Sequence, residues 1–252
     1  MSSKAFGLTD VGRLRENNQD NFLVDTGLGV YAVADGMGGH AAGEVASRIA
    51  IEALGDELRE DAEQQAPSPD QAAARLKLAF QEGNRRICES VVTRGEWRGM
   101  GTTIVAMLEL RGRMIIGHVG DSRAYLLRDG RLRRLTSDHS WVNEQVRLGL
   151  LSDEEAQRHP MRNIVTRALG NRNDIDVEVT DLEARADDVY LLCSDGLNTM
   201  LEDGEILELL QSNLSNPQQA CRSLIERANL RGGEDNVTVV VVRAENRGKN
   251  TA

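Results

Sequence analysis

Short apolar runs of strand length alternate in blocks with longer stretches of helical period. Gly29–Ala34 is a short, mostly apolar run, as expected of a buried strand. From Gly43 to Asp61 the period becomes helical, with Val45, Ile49, Ala53, Leu54 and Leu58 recurring every three to four residues. Asp61–Asp70 holds two of the four prolines and reads as a loop. Ser68-Pro69-Asp70-Gln71 then has the form of a helix start, with a capping serine, proline at the first helical position and glutamine three residues on. Leu76, Phe80, Gly83, Ile87 and Val91 continue one face of that helix.

A strand series follows. Thr102–Leu110 and Met114–Val119 flank Arg111-Gly112-Arg113, and Ala124–Arg128 and Arg131–Leu135 flank Asp129-Gly130. Both connections signal tight hairpins. Residues 137–162 are polar and mixed, with weak helical hints at Val142, Val146 and Leu150, and read as a flap insertion. Asp188–Cys193 is another apolar strand. Helices are expected at Asp203–Leu214 and from the Asn216 cap and Pro217 to about Leu230, stopped by Gly232-Gly233. Val237–Arg243, β-branched through its apolar run, is the last strand, and residues 246–252 are expected to form a flexible tail. Hairpin-linked strands must pair antiparallel, and the helices fall between strand blocks, not after each strand. The pattern predicts an α+β fold with antiparallel sheets, in one domain spanning residues 1–245.

Composition narrows the class. Hydrophobic residues make up 40% of the 252 and charged residues 28%, which excludes disordered and collagen-like chains. Aromatics are only 3%, so Leu, Val, Ile and Ala must build the core. The net charge of −10 comes without a basic stripe, which argues against nucleic-acid and anionic-membrane partners. Three cysteines, Cys88, Cys193 and Cys221, form no CxxC pair and favour a reducing cytoplasm. The first residues lack the apolar core of a signal peptide, and no apolar run is long enough to span a membrane.

Carboxylates carry the chemistry. An aspartate with a glycine or other small residue beside it adjoins an apolar run four times: Val33-Ala34-Asp35-Gly36, Val119-Gly120-Asp121-Ser122, Cys193-Ser194-Asp195-Gly196 and Glu234-Asp235-Asn236-Val237. Aspartates at strand ends are held at the rim of a rigid sheet. Several together suit a hard divalent cation, which takes oxygen ligands. Any one of them alone reads first as turn chemistry, which is the reading kept for Asp129-Gly130.

These motifs fall in a recognisable order. Arg15-Glu16-Asn17-Asn18-Gln19-Asp20 is followed by Asp35-Gly36-Met37-Gly38-Gly39-His40, Gly101-Thr102-Thr103 and Gly120-Asp121-Ser122-Arg123. Then come Asp138-His139-Ser140, Thr166-Arg167-Ala168-Leu169-Gly170, Ser194-Asp195-Gly196-Leu197 and Asp235-Asn236-Val237-Thr238. Each motif is weak singly. Eight in sequence, covering about residues 5–244, make the chain resemble the type 2C (PPM) metal-dependent Ser/Thr protein phosphatases in their compact bacterial form.

The resemblance implies a central β-sandwich of two antiparallel sheets with helices on both outer faces, and metals at one end. It implies hydrolysis of phosphoserine and phosphothreonine by in-line attack of a hydroxide bridging two metals, with no phosphoenzyme. The cofactors would be manganese or magnesium, two core ions and a weaker third. Asp35 resembles the bridging carboxylate, with the Gly36 carbonyl on the second ion; Asp195 and Asp235 resemble the other ligands of the first. Asp121 resembles a ligand of the third ion, shared with Asp195. Arg15 matches the arginine that grips phosphate, and Asp20 the carboxylate that orients or deprotonates water. For Arg15 the alternative is a salt bridge with Glu16 or another nearby carboxylate.

Two positions depart from many relatives. Met37 stands where a histidine general acid is common, and Gln19 where some carry glutamate. His40 is expected in a supporting role, His118 packed and His159 at the surface; His139 falls in the loop beside the flap, with a part in shaping the site as its lesser reading. Trp97 and Trp141 are expected to pack, and the cysteines to lie in the core. The partners implied are phosphorylated proteins, a bacterial Ser/Thr kinase among them, met by a monomer in the cytoplasm. A catalytically dead phosphoprotein binder and a small-molecule phosphatase are the alternatives. Intact Asp35, Asp195 and Asp235 argue against the first, and a polar flap against the second.

Overall fold

The computed structural model describes residues 2–39, 42–60 and 68–245. Among these residues eleven strands form two sheets. One orders β1 (Ser2–Asp10), β11 (Val237–Glu245), β10 (Val189–Cys193), β7 (Arg123–Arg128) and β8 (Arg131–Arg134). The other orders β2 (Asp20–Asp25), β3 (Val30–Met37), β5 (Ile104–Leu110), β6 (Arg113–Val119) and β9 (Glu178–Glu183), with the short β4 (Gly101–Thr102) on β3. All pairings are antiparallel, as the hairpin chemistry requires. Both tight turns adopt left-handed backbone, Arg111-Gly112 at φ 46° and 82° and Asp129-Gly130 at φ 51° and 73°.

Three apolar layers explain why the central strands read as unbroken apolar runs. Tyr31, Val33, Val105 and Met107 face Leu126, Tyr190, Leu192, Val240 and Val242 between the sheets. Val30, Ala32, Ala34, Ile104 and Ala106 point the other way, beneath α1 (Ala42–Glu60) and α2 (Pro69–Thr93). Leu191, Cys193, Val239 and Val241 lie beneath α6 (Asp203–Ser212) and α7 (Pro217–Leu230). Each central strand is therefore buried on both faces and loses the polar alternation of a half-exposed sheet. The three tyrosines are fully buried and supply the bulk that a core poor in aromatics otherwise lacks.

Helix α2 begins at the expected capping box, with both Ser68 and Gln71 side chains bonded to backbone amides. Residues 137–162 contain two short helices, α3 (Trp141–Arg147) and α4 (Asp153–Arg158), and the excursion is pinned at its base by pairing of Ser140 with Val165. A four-residue helix, α5 (Asp195–Asn198), follows β10. Cys193 and Cys221 are buried, but Cys88 lies half-buried on α2, and all three thiols are free. Among the described residues no helix is long and apolar enough to cross a membrane. The tail expected at 246–252 lies outside the described residues.

Candidate metal centre

Strand register gathers the carboxylates at one end of the sandwich. Asp20 opens β2 and pairs with Asp35 near the end of β3. Asp121 lies two residues beyond β6, Asp195 two residues beyond β10, and Asp235 two residues before β11. Because Cys193 pairs with Val239 and with Arg123, the end of β10 and the starts of β11 and β7 coincide. Five aspartates spread over more than 200 residues of chain thus share one rim.

Their charges interact. Burial, with Asp195 and Asp235 nearby, pushes the Asp20 carboxyl up to about 7, against the lowering pull of the nearby Thr238 and Ser194 hydroxyls. Burial raises Asp35 well above the ordinary carboxylate range, helped by the charges of Asp20, Asp195, Asp121 and Asp235. Asp121 is pushed up to about 8 by burial and by Asp195 and Asp138. Asp195 is raised by burial and by Asp235, while its hydrogen bond with Asp35 and the charges of Arg123 and Arg15 act the other way. Five carboxylates brought together at such cost call for a counter-charge. Asp20 adds a second sign: its Oδ2 accepts from Ser194 at 2.7 Å, while its buried Oδ1 has no hydrogen-bond donor. An all-oxygen donor set with an unpartnered buried oxygen fits a hard divalent cation and its water.

The backbone around Asp35 is tightly held. Its amide meets the Thr103 hydroxyl at 3.3 Å, and its carbonyl accepts from the Thr103 amide at 2.9 Å and the Thr102 hydroxyl at 2.8 Å. A Cβ on Gly36 would stand 2.1 Å from the Gly43 carbonyl oxygen, so only glycine fits there. Arg15 extends over the rim and donates to Asp235 Oδ2 at 2.6 Å, with about half of its side chain exposed. The carboxylate partner the sequence leaves open for Arg15 is therefore itself one of the candidate metal ligands. Met37 is half-buried at the end of β3 and has no proton to give.

A second group of possible donors lies behind Asp121. One ligand atom each from His118, His139 and Glu178 falls within 4.8 Å of the others. Its geometry is that of a scaffold. The rings stack at 4.7 Å with 14° between planes, so their in-plane lone pairs do not converge. The Gly120 amide donates to His139 Nδ1 at 3.1 Å, which leaves the proton on Nε2, 3.0 Å from Glu178. Arg167 stands 3.5 Å from the same carboxylate and would repel a cation. The His139 amide also donates to the Gly120 carbonyl, and its own carbonyl accepts from Thr166. His139 thus ties the base of the flap to the loop carrying Asp121. His118 is buried and bonded to the Ser137 carbonyl oxygen, as packing predicts. His159 and Trp141 rest on each other, and Trp97 lies under Arg94. His40 lies outside the described residues.

Ser194, Thr102, Thr103 and Asn236 were not singled out by sequence reasoning, although each sits within a quoted motif. For Ser194 and Asn236 the signal was adjacency to an aspartate; for Thr102 and Thr103 it was the motif alone.

A family profile described as Protein phosphatase 2C matches residues 13–230. The serine/threonine phosphatase stp of Listeria welshimeri is 40% identical over 237 residues, 93% of each chain. The crystal structure of the Mycobacterium tuberculosis serine/threonine phosphatase PstP/Ppp superposes with a TM-score of 0.89 at 40% identity, covering 98% of this chain and 100% of that one. The catalytic domain of PstP in complex with two manganese ions gives a TM-score of 0.87 at 39% identity, over 97% and 99% of the two chains. The β-sandwich, its outer helices and the ordered motifs agree with these likenesses, and the chain belongs to the protein phosphatase 2C family of serine/threonine phosphatases.

Proposed function

We propose that this chain hydrolyses phosphoserine and phosphothreonine in proteins at the carboxylate rim. Asp35, Asp121, Asp195, Asp235 and the Gly36 carbonyl would hold manganese or magnesium, two core ions and a third at Asp121 and Asp195. The observation that carries the reading is the convergence of five aspartates on one rim, with the acidities of Asp20, Asp35, Asp121 and Asp195 displaced by burial and by neighbouring carboxylates. When bound, such cations neutralise phosphate charge and acidify water.

The chain's own groups do the rest. Arg15, already poised over Asp235, turns its exposed guanidinium to the phosphate oxygens. Asp20, held by Ser194, orients the attacking water and accepts its proton through the oxygen left without a donor. Water attacks phosphorus in line, the bond to the seryl or threonyl oxygen breaks, and no phosphoenzyme forms. Met37 supplies no proton, so the leaving oxygen takes one from water. Substrates of this kind are made by a Ser/Thr kinase, which the enzyme would oppose. Three free thiols suit a reducing cytoplasm, and we take the monomer as the working unit.

The test is phosphate release from a phosphothreonine peptide and from small phosphomonoesters, with manganese and after thorough chelation. Metal-dependent release favouring the peptide is expected. Activity that survives chelation sinks the metal reading, and a preference for small esters sinks the protein-substrate reading. Arg15→Ala should raise KM for the peptide by about ten- to a hundredfold, the loss of a charge-assisted hydrogen bond, with a smaller fall in kcat. A fall in kcat at unchanged KM would place Arg15 on the transition state instead.

A further inference from the structure

The loop that carries Arg15 runs from Asp10, the end of β1, to Asp20, the start of β2, and has no regular structure of its own. One buried side chain holds it at three points. Asn236 Nδ2 donates to the Val11 carbonyl at 2.9 Å and to the Asn17 carbonyl at 3.0 Å, and its Oδ1 accepts from the Gln19 amide at 2.8 Å. The Asn236 amide donates to Asp235 Oδ1 at 2.8 Å. Asn236 therefore touches both flanks of Arg15 and the carboxylate on which Arg15 rests. Around it the loop presses against the neighbouring backbone. The Arg13 amide bonds the Gly233 carbonyl at 2.7 Å, and a Cβ on Gly12 would lie 2.3 Å from the Asp235 carbonyl oxygen.

We infer that Asn236 is a positioning residue for phosphate binding, setting where the Arg15 guanidinium stands relative to the carboxylate rim. The inference rests on the phosphate-binding reading of Arg15. The chemistry explains the residue type. Two carbonyls need donors and one amide needs an acceptor, all within reach of a single short planar group. Asparagine meets all three needs at once. Aspartate offers only acceptors, and so sets a carboxylate against two carbonyl oxygens and beside Asp235. Serine keeps one donor and one acceptor on a shorter arm. Buried at 5% exposure, Asn236 cannot replace lost partners with bulk water.

The deciding experiment is a double-mutant cycle of Asn236→Ala with Arg15→Ala, read in KM for a phosphothreonine peptide, the inhibition constant of inorganic phosphate, and manganese affinity. Asn236→Ala should raise KM and the phosphate constant together by about tenfold, with manganese affinity within about threefold of the parent. In the Arg15→Ala background the same substitution should cost less than about threefold, since the group it positions is gone. Asn236→Ser, gentler on folding, should give the same pattern at smaller amplitude, and stands in if the alanine variant does not fold. Equal cost in both backgrounds would show a general structural role and overturn the proposal while leaving the Arg15 reading intact. If Arg15→Ala alone leaves KM and the phosphate constant unchanged, the Arg15 reading fails and the proposal with it.

Discussion

Asp35→Asn and Asp195→Asn should each reduce phosphate release by ~10²–10³-fold or more, as expected when the principal electrostatic stabilisation of a reaction is lost. In the chelated protein at neutral pH the same substitutions should raise the melting temperature. The two effects have one cause. Asp35 is displaced by burial and by four neighbouring carboxylates, and Asp195 by burial and Asp235. An amide of the same shape keeps the packing and removes the cost of either ionising that carboxyl in the cluster or holding it protonated at neutral pH. Relief of about 1–3 kcal/mol corresponds to a rise of roughly 2–10 °C for a domain of this size. Asp235→Asn should gain less, because it also gives up the ion pair with Arg15. With saturating manganese the order should invert. Ligand at a hundred times its dissociation constant stabilises the parent by ~2.7 kcal/mol, and the variants forgo most of that. Differential scanning fluorimetry with and without metal measures both halves. If all three variants melt earlier than the parent in chelator, these aspartates are structural turn residues and the metal-centre reading fails.

How far the molecule could be read in advance follows from where each residue is buried. Strands β3, β5, β6, β7, β10 and β11 are covered on both faces, so their apolar runs stand out against the polar turns. Ser68, Arg111-Gly112 and Asp129-Gly130 stood out because capping and left-handed turns demand particular residues in fixed positions. Strands β1, β2 and β9 passed unnoticed. They lie at or beside sheet edges, and β9 carries only Val179 and Leu182 as apolar residues. Both flap helices start with serine caps, and Ser152 with Glu155 forms a full capping box, but neither helix carries a long apolar face to announce it. Within the site, Asp35, Asp121, Asp195 and Asp235 were legible as aspartates adjoining apolar runs. Their meeting was not, because it depends on two sheets stacking in register, and the ordered motifs of a known family supplied that link. The supporting layer left no local pattern. Ser194 reaches Asp20 across 174 residues and Asn236 reaches Asn17 across 219. No periodicity encodes a side chain bonding to a backbone so far away.

The metal-free protein should lose stability as pH rises from about 5 to about 8, and manganese should abolish most of that loss. Asp20 moves from an ordinary 3.8 to about 7 on folding, and Asp121 from 3.8 to about 8. A carboxyl raised on folding holds its proton more tightly in the native state. Between its unfolded and folded values the native state binds more protons, so stability falls with rising pH. Below about 4 both states are protonated and the contribution is intact; above about 8 it is gone. A displacement such as that of Asp20 is worth ~4 kcal/mol, enough to move the midpoint by roughly 10 °C. Ion-paired carboxylates act in the opposite direction but at lower pH. Glu82, held down to about 2 by hydrogen bonds from Arg85 and Arg86, loses its contribution only as pH falls below about 4.5, outside this window. Cations bound at the rim take the place of the protons and stabilise the ionised form. Melting temperature against pH, measured in chelator and in manganese, should therefore give a falling curve and a nearly flat one. Asp121→Asn in chelator should flatten the upper part of the fall, near pH 7 to 8, where Asp121 titrates. A curve in chelator that is level or rising across this window would mean that Asp20 and Asp121 are already ionised without strain, and the electrostatic case for a metal centre would fall with it.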